Sequence, residues 1–503
     1  MPDVAALPDT ASRKQAQSRA LDRSLVRGVA WTAAAKWASQ VLIWASWLIV
    51  ARLLTPEDYG LVGMAAIYLG LVTLLSEFGL GTAVLAVREL SVDQIHQLNG
   101  LAVLAGVAGL LASCALAIPL GRFFRAPPLP LVVVAMSATF VITSFKTVPL
   151  ALLQREFRFR ALALVDLAQA LISAISMISL AVLGFRYWTL VLGAALAALL
   201  SAGAVRRLRP VAFAWPRLGA LKHTMALSYR IVVARLCWYL SANADFLVAG
   251  RMLGKAALGF YSLGWTLASV PVDKVTTLVG QVAPAILSAV QHDPPAMRRY
   301  VLRITEGIAL VTFPLALGLA LVARDFVLVV LGARWEATVV PLRLLAAYAA
   351  IRSITPILPQ VLHVLRQARF EMWRMVAAAA VMPTAFYVGG QRWGTAGIAL
   401  AWMVLDPLLL LPMYRRVFSS IGLSAREYLA ALWPALSGTA VMAAVVLGIE
   451  AFSGREWTAG ARLAAQVAAG AGSYGLVCLL LHRQRLSAFF QLVRAGPGSE
   501  VAS

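Results

Sequence analysis

Hydrophobic residues run through this chain in long blocks broken by short polar turns. Fourteen blocks stand out, at 29–50, 60–84, 98–119, 129–152, 161–183, 188–205, 224–249, 260–289, 301–322, 339–361, 375–390, 394–413, 429–451 and 460–481. Each is close to the ~20 apolar residues a helix needs to cross a bilayer. Lipid offers no partner for open backbone groups, so runs of this kind cross as helices. The pattern predicts an all-α polytopic membrane protein of about fourteen transmembrane helices. The longest connection is 206–223.

Polar stretches recur between the blocks. Ala51-Arg52-Leu53-Leu54-Thr55-Pro56-Glu57-Asp58-Tyr59-Gly60 returns in degenerate form as Gly250-Arg251-Met252-Leu253-Gly254-Lys255-Ala256-Ala257-Leu258-Gly259. Arg155-Glu156-Phe157-Arg158-Phe159 returns as Arg366-Gln367-Ala368-Arg369-Phe370, and Gly184-Phe185-Arg186-Tyr187-Trp188-Thr189 as Gly390-Gln391-Arg392-Trp393-Gly394-Thr395. The order is kept and six spans separate the copies. An even number preserves orientation, so two six-helix lobes are expected, related by a parallel pseudo-repeat, with two extra helices. The expected division is a tail at 1–28, an N-lobe at 29–205, a linker at 206–223, a C-lobe at 224–414, the added spans within 429–481 and a second tail at 482–503.

Composition agrees. The 503 residues are 61% hydrophobic and 13% charged, against about 25% charged in a soluble domain. The net charge of +22 would suit nucleic acid if it formed a patch, but the basic residues punctuate apolar runs. No nucleic acid is expected. With the N-terminus inside, the inner segments hold more than twice the Lys and Arg of the outward loops. That asymmetry places both termini in the cytoplasm. The first block is too long for a signal-peptide core and no cleavage site follows it. Cys114, Cys237 and Cys478 are too few and scattered for a disulfide framework or a metal site.

The motif Arg52–Gly60, the following Glu77-Phe78-Gly79-Leu80-Gly81, the loop Leu153–Phe159, and Asp245–Gly254 followed by Gly259-Phe260-Tyr261 together resemble the polysaccharide transporter family. These are Wzx-type flippases of lipid-linked oligosaccharides, near the colanic acid and xanthan exporter branch of the multidrug/oligosaccharidyl-lipid/polysaccharide exporter superfamily. The resemblance spans about residues 25–480. It implies two six-helix lobes around a central cavity in the bacterial inner membrane. It also implies movement of an undecaprenyl-pyrophosphate-linked repeat unit outward for exopolysaccharide or O-antigen synthesis, beside a polysaccharide polymerase and a chain-length regulator, with membrane lipids as surroundings.

Beyond the first three positions of a span, seven basic residues fall inside: Lys36, Lys146, Arg230, Arg235, Lys274, Arg343 and Arg352. Each costs about 2.5–3.5 kcal/mol at a helix centre by insertion scales, so most must face protein or water. Arg343 and Arg230 lie near span ends and can snorkel. The acidic counterparts are Glu77, Asp245, Asp273 and Asp406, which leaves the interior basic and suited to a pyrophosphate. Substrate-contact candidates are therefore Lys36, Lys146, Arg235, Lys274 and Arg352, with Trp238, Tyr239 and Asn243 beside Arg235 for sugar contact. A buried ion pair with Asp245 or Asp273 is the structural alternative for the deep arginines. The four carboxylates are the candidates for H⁺ or Na⁺ coupling. Arg52, Glu57, Asp58 and Arg251 are outer-gate candidates, although Thr-Pro-Glu-Asp is also good turn and helix-start chemistry. The nine prolines in spans eight to twelve suit bent helices. No glycine-rich nucleotide loop or metal spacing appears, so ATP-driven transport by this chain alone is not expected. Flipping needs no covalent chemistry, so no catalytic residue and no organic cofactor are expected. The rival reading is a cation-coupled small-molecule exporter of the same superfamily, which calls for an acidic interior.

Overall fold

The computed structural model describes residues 36–76, 84–85, 90–217, 236, 238–453 and 457–483. Among them the chain is all-helical. The helices are α1 (36–53), α2 (Pro56–Ser76), α3 (Val92–Phe124), α4 (Leu129–Arg155), α5 (Phe159–Val182) and α6 (Trp188–Leu208). Then come α7 (Ala244–Val248, continued by a π turn, Ala249–Leu253), α8 (Gly254–Ala289), α9 (Pro294–Phe326), α10 (Val339–Ser353) and α11 (Ile357–Val364). Ala368–Ile421 holds two helices, α12 and α13, joined at Trp393–Gly394, and α14 (Ala425–Phe452) and α15 (Ala459–Leu481) complete the chain. Ten helices among the described residues are long and apolar enough to cross a membrane. Half of the run at 224–249, residues 224–235 and 237, lies outside the described residues.

Two of the expected runs, 375–390 and 394–413, form α12 and α13, and the chain reverses between them. Trp393 leaves the helical region and Gly394 adopts φ 58°, ψ −140°. Gly389 and Gly397 then meet backbone to backbone: a Cβ at Gly397 would lie 2.0 Å from the Gly389 carbonyl oxygen. Residues eight apart in a straight helix are about 12 Å apart, so this is a tight helical hairpin.

The chain forms two compact units. The first takes residues to Leu54, Tyr68–Gly121 and Pro127–Leu236; the second takes Thr55–Ile67, Arg122–Ala126 and Cys237 onward.

In the first unit, α4, α5 and α6 pack together, with Leu153, Val165 and Val205 as a buried seam. The segment 211–217 is an extended strap on the start of α3. The Ala214 amide donates to the His96 carbonyl at 3.3 Å, Asn99 Nδ2 donates to the Ala212 carbonyl at 3.2 Å, and the Arg217 amide donates to Gln97 Oε1 at 3.1 Å. Gly100 permits this approach, because a Cβ there would stand 1.9 Å from the Ala214 oxygen. Gly100→Val is therefore expected to release the strap. Limited proteolysis checks it: cleavage within 211–217 should speed up at least several-fold as local opening becomes cheaper, while an unchanged rate would contradict the strap.

The second unit is built on α8 to α11 and α13 to α15. Its core joins Leu287, Met297, Val301, Phe313, Leu358 and Val361 to Met413, Val417, Tyr428 and Leu432. Helix starts follow familiar capping chemistry. Asp293 accepts from the Ala296 amide, Ser424 and Glu427 form a capping box, and Thr458 accepts from the Ala461 amide. The last two helices lie against α9. The Tyr474 hydroxyl donates to the Leu310 carbonyl at 2.6 Å, and Arg462 pairs with Asp325, Nε to Oδ2 at 2.6 Å.

The loops Glu156–Arg158 and Leu365–Gln367 share one geometry. In each a helix ends with an amide reaching back five residues (Arg158 to Leu153, Gln367 to Leu362), the Schellman arrangement. The left-handed residue is Phe157 (φ 55°) in one and Arg366 (φ 57°) in the other. The Arg-x-x-Arg-Phe copies lie two residues out of this geometric register. The repeated feature is the backbone turn, and side-chain identity has drifted along it.

Candidate functional site

Thr55–Gly60 of the first motif copy and the whole second copy, Gly250–Gly259, belong to the second unit, whereas Ala51–Leu54 belong to the first. Thr55 and Asp58 cap α2 reciprocally. Thr55 Oγ1 and the Thr55 amide donate to Asp58 Oδ2 at 2.7 and 3.1 Å, and the Asp58 amide donates back to Thr55 Oγ1 at 3.3 Å. Asp58 is buried and holds the helix start. Glu57 pairs with Lys255 at 2.6 Å, with both side chains nearly half exposed, a geometry worth at most about 1 kcal/mol. Arg251 lies with its guanidinium 5.5 Å from the Phe123 ring centroid. Arg52 is exposed near the end of α1.

The two motif copies touch. A Cβ on Gly60 would lie 1.6 Å from the Lys255 carbonyl oxygen, and a Cβ on Gly259 would lie 1.9 Å from that of Pro56. The spacing that relates Gly60 to Gly259 also relates Pro56 to Lys255. The two approaches are therefore one contact read from either copy, as in a two-fold interface. Trp335, fully buried, meets Tyr59 beside one glycine and Phe260 beside the other, edge to face at 5.4 and 6.1 Å.

Deeper in the second unit is a network of carboxylates and aromatic rings. Asp245 is wholly buried; its Oδ2 accepts from the Tyr261 hydroxyl at 2.7 Å and from Trp402 Nε1 at 2.9 Å, and its Oδ1 accepts from the Phe246 amide at 2.8 Å. Asp406 accepts from the Tyr348 hydroxyl at 2.9 Å. Tyr348 and Trp402 stack at 5.5 Å, and Trp265 joins both rings. Arg352 Nη2 reaches Asp273 Oδ1 at 2.6 Å, and its guanidinium lies 5.7 Å from the Trp265 ring centroid. The network draws on α7, α8, α10 and α13 because tyrosine and tryptophan place a polar atom at the end of an apolar body.

A smaller basic group sits in the first unit. Lys146 Nζ donates to Ser201 Oγ at 3.0 Å. Asp166 on α5 lies within electrostatic reach of both Lys146 and Lys36. The threonines in line with Lys146 turn back on their own helix: Thr139 donates to the Met136 carbonyl and Thr143 to that of Thr139. Lys36 is exposed.

The sequence points to Lys36, Lys146 and Asp406 without their partners; for the deep arginines it offers an ion pair with Asp245 or Asp273, and Arg352 pairs with Asp273. Asp273 faces Arg352, and its neighbour Lys274 is exposed on α8, as side chains about 100° apart require. Tyr239 and Asn243 make structural bonds: the Tyr239 hydroxyl donates to the Ile67 carbonyl at 2.9 Å, and Asn243 Nδ2 donates to the Tyr239 carbonyl at 2.9 Å. Trp238 is exposed. Arg235, Arg230 and Glu77 lie outside the described residues. Asp166, Trp265, Tyr348 and Trp402 went unremarked. Asp166 is a carboxylate in an apolar run and the intramembrane-charge rule finds it. The aromatic residues carry no such signal, because rings abound in every span.

The helical architecture has counterparts among solved structures. It matches the lipid II flippase MurJ in an inward closed conformation with TM-score 0.70 and 14% identity, covering 91% of this chain and 99% of that one. A multidrug resistance MATE family transporter, inward-facing, matches with TM-score 0.58 and 14% identity over 76% of this chain and 95% of that one. Residues 49–340 match the polysaccharide biosynthesis protein family, and this chain belongs to it. Among its relatives are the Escherichia coli K12 lipopolysaccharide biosynthesis protein WzxC, 24% identical over 82% of this chain and 85% of that protein. The succinoglycan biosynthesis transport protein ExoT of Rhizobium meliloti is 24% identical over 94% and 96%. The teichuronic acid biosynthesis protein TuaB of Bacillus subtilis is 23% identical over 95% and 99%.

Proposed function

We propose that this protein is a flippase that carries a lipid-linked oligosaccharide repeat unit from the inner to the outer leaflet of the bacterial cytoplasmic membrane, with both termini inside. The observation that carries the reading is the chemistry of the intramembrane charges in a chain of this family. Lys36 and Lys146 in one unit and Arg352 in the other are cations set within spans, each with an aspartate near it. Such groups are stable in a membrane only where protein or water reaches them, and they attract an anionic headgroup there. A pyrophosphate linking lipid to sugar has that character. The work is transport by alternating access, with no covalent step, and the chain is not an enzyme. The prenyl chain stays in the bilayer while the headgroup crosses. Asp245 and Asp406 are the carboxylates we assign to H⁺ or Na⁺ coupling, and the glycine contact between the motif copies is the candidate closure of the outer side. Polymerase and chain-length regulator are the partners that would take the delivered unit.

The test is complementation of a strain lacking the gene. Arg352→Ala and Lys146→Ala are each expected to lower surface polysaccharide on the order of tenfold, as loss of a charge-assisted contact to phosphate implies. Immunoblots of the membrane fraction should show normal protein levels. Full polymer output from both variants would overturn the reading.

A further inference from the structure

We infer that Asp273 is a displaceable stand-in for the phosphate of the substrate: its carboxylate holds Arg352, and a lipid-linked diphosphate takes the guanidinium by moving it aside. This rests on the flippase reading above.

The three aspartates of this network are held differently. Asp245 is wholly buried and takes three donors. Asp406 is tied to the Tyr348 hydroxyl. Asp273 is half exposed at its side chain and meets Arg352 through one N–O contact. A guanidinium offers five donors in a fork made for two-point pairing, so this pair leaves most of the fork unused. Arg352 keeps part of its side chain exposed as well, 29%. An ion pair open to this degree within a membrane span faces water, since lipid would not tolerate it.

The other side of Arg352 is fixed. Trp265 underlies the guanidinium, and Tyr261, Tyr348 and Trp402 hold Trp265 in turn. The guanidinium thus stays in place while its carboxylate is free to leave. Pro271, two residues before Asp273 in α8, removes a backbone hydrogen bond there and gives that turn freedom to bend.

Carboxylate and phosphate are both anionic oxygen acceptors, but a diphosphate offers more charge and can fill the fork at two points. Exchange of one anion for another never leaves Arg352 without an anionic partner. A tethered competitor also lowers net affinity through its high effective concentration. That favours release on the far side, which a carrier needs as much as capture.

The experiment uses the full chain in detergent with undecaprenyl diphosphate as the probe, read by tryptophan quenching. Asp273→Asn keeps the shape and removes the charge. It is expected to bind roughly tenfold tighter, the size of effect a removed tethered competitor gives, and to export less polymer because release slows. Arg352→Gln is expected to lose binding in both backgrounds. Equal or weaker binding by Asp273→Asn, with wild-type binding that depends on Arg352, overturns the displacement alone. Absence of wild-type binding, together with full export by Arg352→Gln, overturns displacement and flippase reading together. Should Asp273→Asn fail to fold, the wild type still decides. Carbodiimide labelling of Asp273, followed by peptide mass spectrometry, should rise when undecaprenyl diphosphate is added. Unchanged or reduced labelling overturns the proposal.

Discussion

Gly60→Ala is expected to deplete the folded protein, and Gly259→Ala should do the same to a similar extent. Neither substitution adds more than one methyl group. Each methyl, however, would sit inside 2 Å of a backbone carbonyl oxygen, that of Lys255 or of Pro56. Backbone cannot swing aside like a side-chain tip, so two helix starts must separate. Overpacking by single methylenes ordinarily costs about 1–3 kcal/mol, and a collision with main chain belongs at or above the top of that range. Separation would also pull Tyr59 and Phe260 from the buried Trp335. Gly63→Ala is the control, because its Cβ would meet Leu258 at an ordinary 3.5 Å. Fluorescence-detected size exclusion after a heat step should show Gly60→Ala and Gly259→Ala aggregating well below the wild type and Gly63→Ala beside it. Wild-type melting of Gly60→Ala would show that the motif copies do not meet in this way.

Asp245 should separate two substitutions in the same assay. Asp245→Ala leaves the Tyr261 hydroxyl and the Trp402 indole without their acceptor in a buried place. Each orphaned donor costs about 1–3 kcal/mol, so a loss of about 4 kcal/mol is expected. Asp245→Asn can keep its carbonyl oxygen at the position shared by Tyr261 and Trp402. Its amide then confronts the Phe246 amide, donor to donor, which should cost about 1–2 kcal/mol. Equal losses for Asn and Ala would mean that Asp245 matters as a charge and not as an acceptor for these rings.

The outer-gate reading of Arg52–Gly60 changes most with the structure. Thr55 and Asp58 proved to be a helix cap, which their order in the sequence already suggested. The contact itself comes from the two glycines, and no residue of the motif announces that its copy is its partner. The geometric pairing of Phe157 with Arg366 likewise could not be read from side chains, since a left-handed turn constrains φ and ψ and leaves an exposed side chain free to vary. Arg352 and Asp273 were both visible as charges in apolar runs, but 79 residues separate them and nothing local pairs them.

What the sequence determined by itself is the membrane class, the helical runs, the repeat and the family. All of these follow from local composition: a bilayer demands apolar length, and helices satisfy their own backbones, so each span is written in its own residues. The tertiary structure alone decided which charge meets which, that Trp265, Tyr348 and Trp402 gather around two carboxylates, and that the two motif copies close on each other through Gly60 and Gly259. Those are long-range choices. They depend on which helix faces which, and in a chain where every span is apolar, hydrophobicity does not rank one neighbour above another.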